Sequence, residues 1–349
     1  MKKIILNINP PRSGGKALML LDCFKKSQNL LIWPCEFHYF RMFRQATNNK
    51  NIEKLHKLNS FFFTNHFNKL FLYLINNNIS LLDIDKFKRS LNKQQNEEMN
   101  VFQYLNFIFS CYNDSSIQKK KFDDVDYFLM NITARGFDWE LNNENIFFLK
   151  TNRNLKDSFK SIKNKNLESL PVENFFLLSG KKSFFYWLYT YREMVKKIDN
   201  ISKKKVISLH FEDIRYNLSQ TRKIQSENCK IIRNFFDLKI LKDNSNDYYS
   251  INRKKIKKDF KFTKIENYCL DKLIIQDKKI DILDYLKNLF FLIFELKIKN
   301  RNIFIIFYKY LKIIINFLYF LYIYKNDKNF LKTLSKNNHD LRFQTLFRN

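Results

Sequence analysis

Glycine and proline are nearly missing from this sequence. Its 349 residues hold 4 of each, so long stretches carry no turn signal at all. Cysteine is sparse too. The five thiols, Cys23, Cys35, Cys111, Cys229 and Cys269, are odd in number, scattered and never spaced as CxxC, which argues against a disulfide framework and a zinc site. No cluster of His, Cys or carboxylates has metal-ligand spacing, and no metal is expected. After two lysines the amino-terminal apolar run covers residues 4–6 alone, far short of a signal peptide, so a reducing, cytoplasmic setting is expected. No internal repeat stands out.

What the chain has in plenty is positive charge and large apolar side chains. The formal net charge is +29, yet only 14 of the 63 basic residues are arginine, and Lys, Asn, Ile and Phe dominate. Those four residues have codons made mostly of A and T, so a biased genome accounts for much of the basicity. The charge still draws anions, as a long-range field with little specificity. No nucleic-acid motif or arginine-rich groove accompanies it, and no specific nucleic-acid partner is expected. With 45% hydrophobic residues the chain can bury a real core.

Short apolar runs alternate with helical patterns. Residues 3–8 read as a buried strand, 30–33 as a second that stops at Pro34, 146–150 as a third and 205–209 as a fourth. Helices follow at 17–24, 155–162 and 221–236, and several more are expected in the breaker-poor stretch 37–112. Residues 113–127 are polar and read as a loop. Strands alternating with helices predict an α/β fold, a central parallel sheet flanked by helices.

Two of the four glycines and two of the four prolines fall within residues 10–15, between the first strand and the first helix. A glycine-rich turn at that junction aims backbone N–H groups and the positive end of a helix at one spot, which is an oxyanion cradle. Arg12, Ser13 and Lys16 add charged and hydroxyl donors, while Gly14 and Gly15 let the backbone come close. The Walker A pattern GxxxxGK[ST] fails here twice: Pro10 takes the place of the first glycine, and Ala17 that of the magnesium-binding hydroxyl. A small-molecule kinase with an irregular phosphate loop is a second, weaker reading. A basic, non-catalytic nucleotide- or nucleic-acid-binding protein is a third.

The stretch PPRSGGKALMLL resembles the 5′-phosphosulfate loop of sulfotransferases that use 3′-phosphoadenosine-5′-phosphosulfate, PAPS. A second stretch, IFFLKTNRNLKDSFKS, is similar to that family's 3′-phosphate strand and helix, with Arg153 at the strand's end and Ser161 eight residues on. ISLHFEDI and IIRNFFDL, farther along, look like two structural segments of the family. RKKIKKDFK at 253–261 can be laid on its nucleotide-closing loop, with lysines where glycines should be, which makes Arg253 a candidate phosphate ligand. The resemblance implies a P-loop-NTPase-like sulfotransferase fold over residues 1–265, with a helical insertion at about 40–140 and a helical, aromatic-rich extension at 266–349. It implies PAPS as co-substrate, held by Arg12, Ser13, Gly14, Gly15, Lys16, Arg153 and Ser161. Lys16 stands where the family has Thr or Ser; its ammonium adds charge for the transferring sulfuryl group, or crowds the loop.

A branch of the family acting on carbohydrates has a Pro-x-Glu-Phe-like segment with the glutamate as general base, and here Pro34, Cys35, Glu36 and Phe37 stand in a row. Glu36 is therefore the expected base and His38 the reserve, with a carbohydrate or lipid-linked acceptor. In the competing reading Glu36 merely caps the next helix. Residues 285–324 are rich in Leu, Ile, Phe and Tyr, and the 22 residues from 303 would span about 33 Å as a helix. Lys309, Lys312 and Asn316 form a stripe along it, which suits a helix lying at a membrane surface or covering a core better than a crossing one.

Overall fold

The computed structural model describes residues 2–9, 19, 21–68, 70, 72, 82–92, 97–117, 119–133, 143–167, 205–210, 218–239 and 262–272, with positions 188, 191, 195, 198, 199, 201, 283, 284, 287, 307, 308, 311, 314, 315 and 318. Within these the chain divides into two compact units, Met1–Arg153 with Lys197–Asn252 and Asn154–Lys196 with Arg253–Asn349.

In the first unit, strand β1 (Lys3–Asn9) is buried at every position after its first, and Ile4, Ile5, Leu6 and Ile8 face both sides of a sheet. Such a two-sided apolar run belongs at the centre of parallel strands. There it pairs in parallel with β5 (Tyr127–Thr133) on one side and β6 (Ile146–Asn152) on the other. Beyond β5 lies β2 (Leu30–Glu36), and beyond β6 lies β7 (Val206–His210), so the order is β2-β5-β1-β6-β7, parallel throughout. The expected central parallel sheet is what the chain forms.

Helices cover both faces. On one, Ile5, Leu129, Leu149, Ile207 and Leu209 meet Cys23 and Phe24 of α1 (Asp22–Lys25) and, far along the chain, Ile232 and Phe236 of the long helix 218–236. On the other, Phe128 stacks on Phe109 at 4.2 Å, and Trp33 packs against Phe37 at 4.7 Å and Tyr112 at 5.1 Å. Aromatic pairs in these offset and tilted geometries add to the area they bury.

Residues 39–115 hold α2 (Tyr39–Ala46), α3 (Leu55–Phe62), α4 (Ile84–Leu91) and α5 (Val101–Ser115), as the breaker-poor sequence predicts. Asp83 caps α4 by accepting from the Lys86 N–H, and Asn100 with Gln103 closes a capping box on α5. Two features differ from expectation. A short antiparallel ribbon, β3 (Ile52–Lys54) with β4 (Glu98–Asn100), ties the helices together. And β5, a strand of the central sheet, falls inside the stretch expected to be helical, because Asn131 breaks its apolar run and no Gly or Pro marks its ends.

Strand β2 also runs past Pro34 to Glu36. Proline is tolerated because β2 is an edge strand whose register shifts between Ile32 and Glu36, where a ladder hydrogen bond is already given up.

In the second unit, α6 (Leu155–Leu167) starts with the Asn154 side chain accepting from the N–H groups of Lys156 and Asp157. The 218–236 helix of the first unit is α7; in the second unit α8 (Lys264–Leu270) begins with a Thr263/Glu266 capping box. Phe159 of α6 packs on Tyr191 and Phe262, and Lys163 reaches Glu266 at 2.6 Å with both side chains fully buried.

Candidate functional site

Parallel strands all present their carboxyl ends at one edge of the sheet. The chain leaves β1 towards β2, on one side, and leaves β6 towards β7, on the other. Neighbouring strands whose connections diverge in this way open a crevice outside their carboxyl ends, the place where open α/β sheets take ligands. Here that switch point falls at the ends of β1 and β6, beside Asn9 and Thr151.

The strand ends at that point are polar. Along one face, β1 passes from Ile5 to Asn7 and Asn9, β5 from Leu129 to Asn131, and β6 from Leu149 to Thr151. Asn7, Asn9 and Thr151 are all buried, and each is bonded. The Oδ1 atom of Asn9 accepts from the Thr151 N–H at 2.5 Å and from its hydroxyl at 2.6 Å. Its Nδ2 donates to Asn7 Oδ1 at 2.5 Å, and Asn7 Nδ2 donates to Asn131 Oδ1 at 3.2 Å. The Asn131 carbonyl in turn accepts from the Phe37 N–H at 3.0 Å, at the end of β2. Amides thus tie together the ends of four adjacent strands. Sequence reading missed these residues, although two asparagines on one face of an otherwise apolar strand, ILNIN, were the available signal.

Glu36 is the last residue of β2, level with Asn131. Its Oε1 lies 2.7 Å from His38 Nε2, with the carboxylate about half exposed and the imidazole less so. The two residues expected as base and reserve therefore form one hydrogen-bonded pair. Helix α2 begins after His38 without a side-chain capping bond, so the capping role considered for Glu36 is not what its position serves.

Arg153 follows β6 directly and is half-buried at the end of the first unit; Ser161 is half-buried within α6, in the second. Arg12, Ser13, Gly14, Gly15, Lys16 and Arg253 lie outside the described residues, as do Glu212 and Asp213 of the ISLHFEDI stretch, expected to be structural. Among the described residues no group of three or more His, Cys, Asp or Glu is placed to hold a metal ion. No described helix is long and apolar enough to cross a membrane.

No protein-family model and no curated protein matches the chain. Among solved structures it is similar to a sulfotransferase domain from the curacin biosynthetic pathway, at 14% identity and a TM-score of 0.38, over 69% of this chain and 76% of that one.

Proposed function

We propose that the chain is a PAPS-dependent sulfotransferase that moves a sulfuryl group to a hydroxyl of a carbohydrate or lipid-linked acceptor. The observation that carries this reading is the Asn9–Thr151 junction at the switch crevice. In sequence the residue 10–16 segment follows Asn9 directly, and Arg153 stands two residues after Thr151.

In the proposed scheme Arg12, Ser13, Gly14, Gly15 and Lys16 take the phosphosulfate end, and Arg153 takes the 3′-phosphate. Ser161 joins Arg153 on the strength of their eight-residue spacing, and Arg253 is a further phosphate ligand. Guanidinium, ammonium and backbone N–H donors suit an oxyanion whose charge grows as the sulfur–oxygen bond to the leaving phosphate breaks. Glu36, held by His38, accepts the proton of the acceptor hydroxyl as its oxygen bonds to sulfur; adenosine 3′,5′-bisphosphate then leaves. The scheme calls for no metal. In the carboxyl-terminal segment Phe307, Leu311, Ile315 and Leu318 recur at helical spacing and are exposed, which supports peripheral contact with a lipid surface and a lipid-linked acceptor.

Titration of the full chain with adenosine 3′,5′-bisphosphate, against ATP with magnesium, tests the assignment. Tight bisphosphate binding that is lost in Arg153→Ala is the expected result. A preference for magnesium ATP would replace the sulfotransferase with a kinase.

A further inference from the structure

The geometry points to Asn9 as a positioning residue that sets the gap between the two halves of the nucleotide site, an inference that rests on the reading above. Backbone pairing of β1 with β6 runs from Ile4–Ile146 to Asn7–Leu149 and stops there. Two residues on, a side chain does the joining: Asn9 Oδ1 receives both the N–H and the hydroxyl of Thr151.

Because an N–H can only donate, the Thr151 backbone fixes which way the Asn9 amide points. Its Nδ2 is then committed to Asn7 Oδ1, and Asn7 Nδ2 to Asn131. No amide in the row can flip without breaking its neighbours' bonds. Asn9 and Thr151 are also shut off from water, at 5% and 3% exposure, so neither can exchange its partner for solvent.

The position gives this junction leverage. One residue past Asn9 the chain enters the segment proposed to hold the phosphosulfate, and two residues past Thr151 stands Arg153, proposed to hold the 3′-phosphate. A ligand gripped at both ends feels the width of the gap. A ligand with a phosphate at one end only does not. Asn9 therefore acts on the coupling between the two ends, and its removal should reach the doubly phosphorylated ligand selectively.

Calorimetric titration of the full chain with adenosine 3′,5′-bisphosphate and with adenosine 5′-phosphate reads this coupling. Asn9→Ala is expected to weaken bisphosphate binding about tenfold, as the Thr151 N–H and hydroxyl both lose the acceptor that ties them to β1, while 5′-phosphate binding stays within about twofold. Thr151→Val, which keeps the N–H and removes the hydroxyl, should shift the preference the same way by less; Thr151→Ser should restore it. The inference is overturned if Asn9→Ala keeps the wild-type preference, or if both ligands weaken equally alongside a lowered Tm. Should Asn9→Ala not fold, Thr151→Val decides by the same criterion. Wild-type protein with no preference for the bisphosphate would remove the nucleotide reading itself, before any variant is compared.

Discussion

Glu36 and His38, two residues apart in sequence, meet at 2.7 Å through Oε1 and Nε2 at the carboxyl end of an edge strand. A carboxylate beside an imidazole can take a proton itself or orient the ring to take it. Glu36→Gln should lower kcat for sulfuryl transfer by about 10²-fold or more, with bisphosphate affinity nearly unchanged. Because the pair shares one hydrogen bond, Glu36→Gln combined with His38→Ala should cost much less than the two single effects multiplied. Steady-state rates of the four proteins test this; an active Glu36→Gln variant would move the base to His38.

In the second unit, Lys163 and Glu266 form an ion pair at 1% and 0% side-chain exposure, and the capping N–H of Thr263 also donates to the same carboxylate oxygen. The other oxygen, Oε1, finds no hydrogen-bond partner among the described residues. Such a pair is costly to break and little missed when replaced whole. Glu266→Leu or Lys163→Met alone should destabilise by about 3–5 kcal/mol, and the double variant by far less. Burial, outweighing the pull of Lys163, pushes the Glu266 carboxyl above its ordinary 4.5. The native state then holds this proton more tightly than the unfolded state, so the group's contribution to stability falls as pH rises above that value. Urea titrations of the wild type and Glu266→Gln across that range should show the slope disappear in the variant.

How much of this was legible beforehand depended on residue chemistry. Strands β1, β2 and β6 announced themselves because a strand in a sheet covered on both faces needs apolar residues on both, and β7 because Ile207 and Leu209 alternate with exposed Ser208 and His210. Strand β5 did not, since Asn131 interrupts it and three aspartates stand just before it, at positions 123, 124 and 126. The Glu36–His38 pair was readable as two candidates but not as one unit, because their meeting depends on how the chain turns after β2. The amide row showed only its first half, the two asparagines of ILNIN, because Asn7, Asn9, Asn131 and Thr151 become neighbours only once strands distant in sequence are set in register.

Lys120 offers a stability test in alkaline solution. Its Nζ donates to the carbonyls of Ser27 and Leu30, both at 2.5 Å, while Asn113 grips its backbone on both sides. Burial pushes the ammonium down from 10.5 to about 8. A depressed pKa means that the unfolded chain binds this proton more tightly, so stability rises as pH climbs through the interval between those two values. Relative to Lys120→Met, whose loss of the two bonds is independent of pH, wild-type protein should gain up to about 3 kcal/mol across it. Thermal unfolding of both proteins at neutral and alkaline pH measures the difference.

The five thiols should react in an order set by their surroundings. Cys23, Cys111 and Cys269 are buried, whereas Cys35 and Cys229 are partly open. Hydrogen bonding to the Cys229 thiol, reinforced by burial, pushes the Cys23 thiol well up, and burial does the same for Cys269. Alkylation requires the thiolate, so both should resist limiting iodoacetamide in the folded chain. Peptide mass spectrometry should find label first on Cys35 and Cys229, with all five modified at similar rates in denaturant. Cys35 adjoins Glu36 and Cys229 lies on α7, so protection of Cys35 alone by an acceptor sugar would place the acceptor beside the Glu36–His38 pair. Equal early labelling of Cys23 would show that helix α1 opens from the sheet far more readily than its buried position implies.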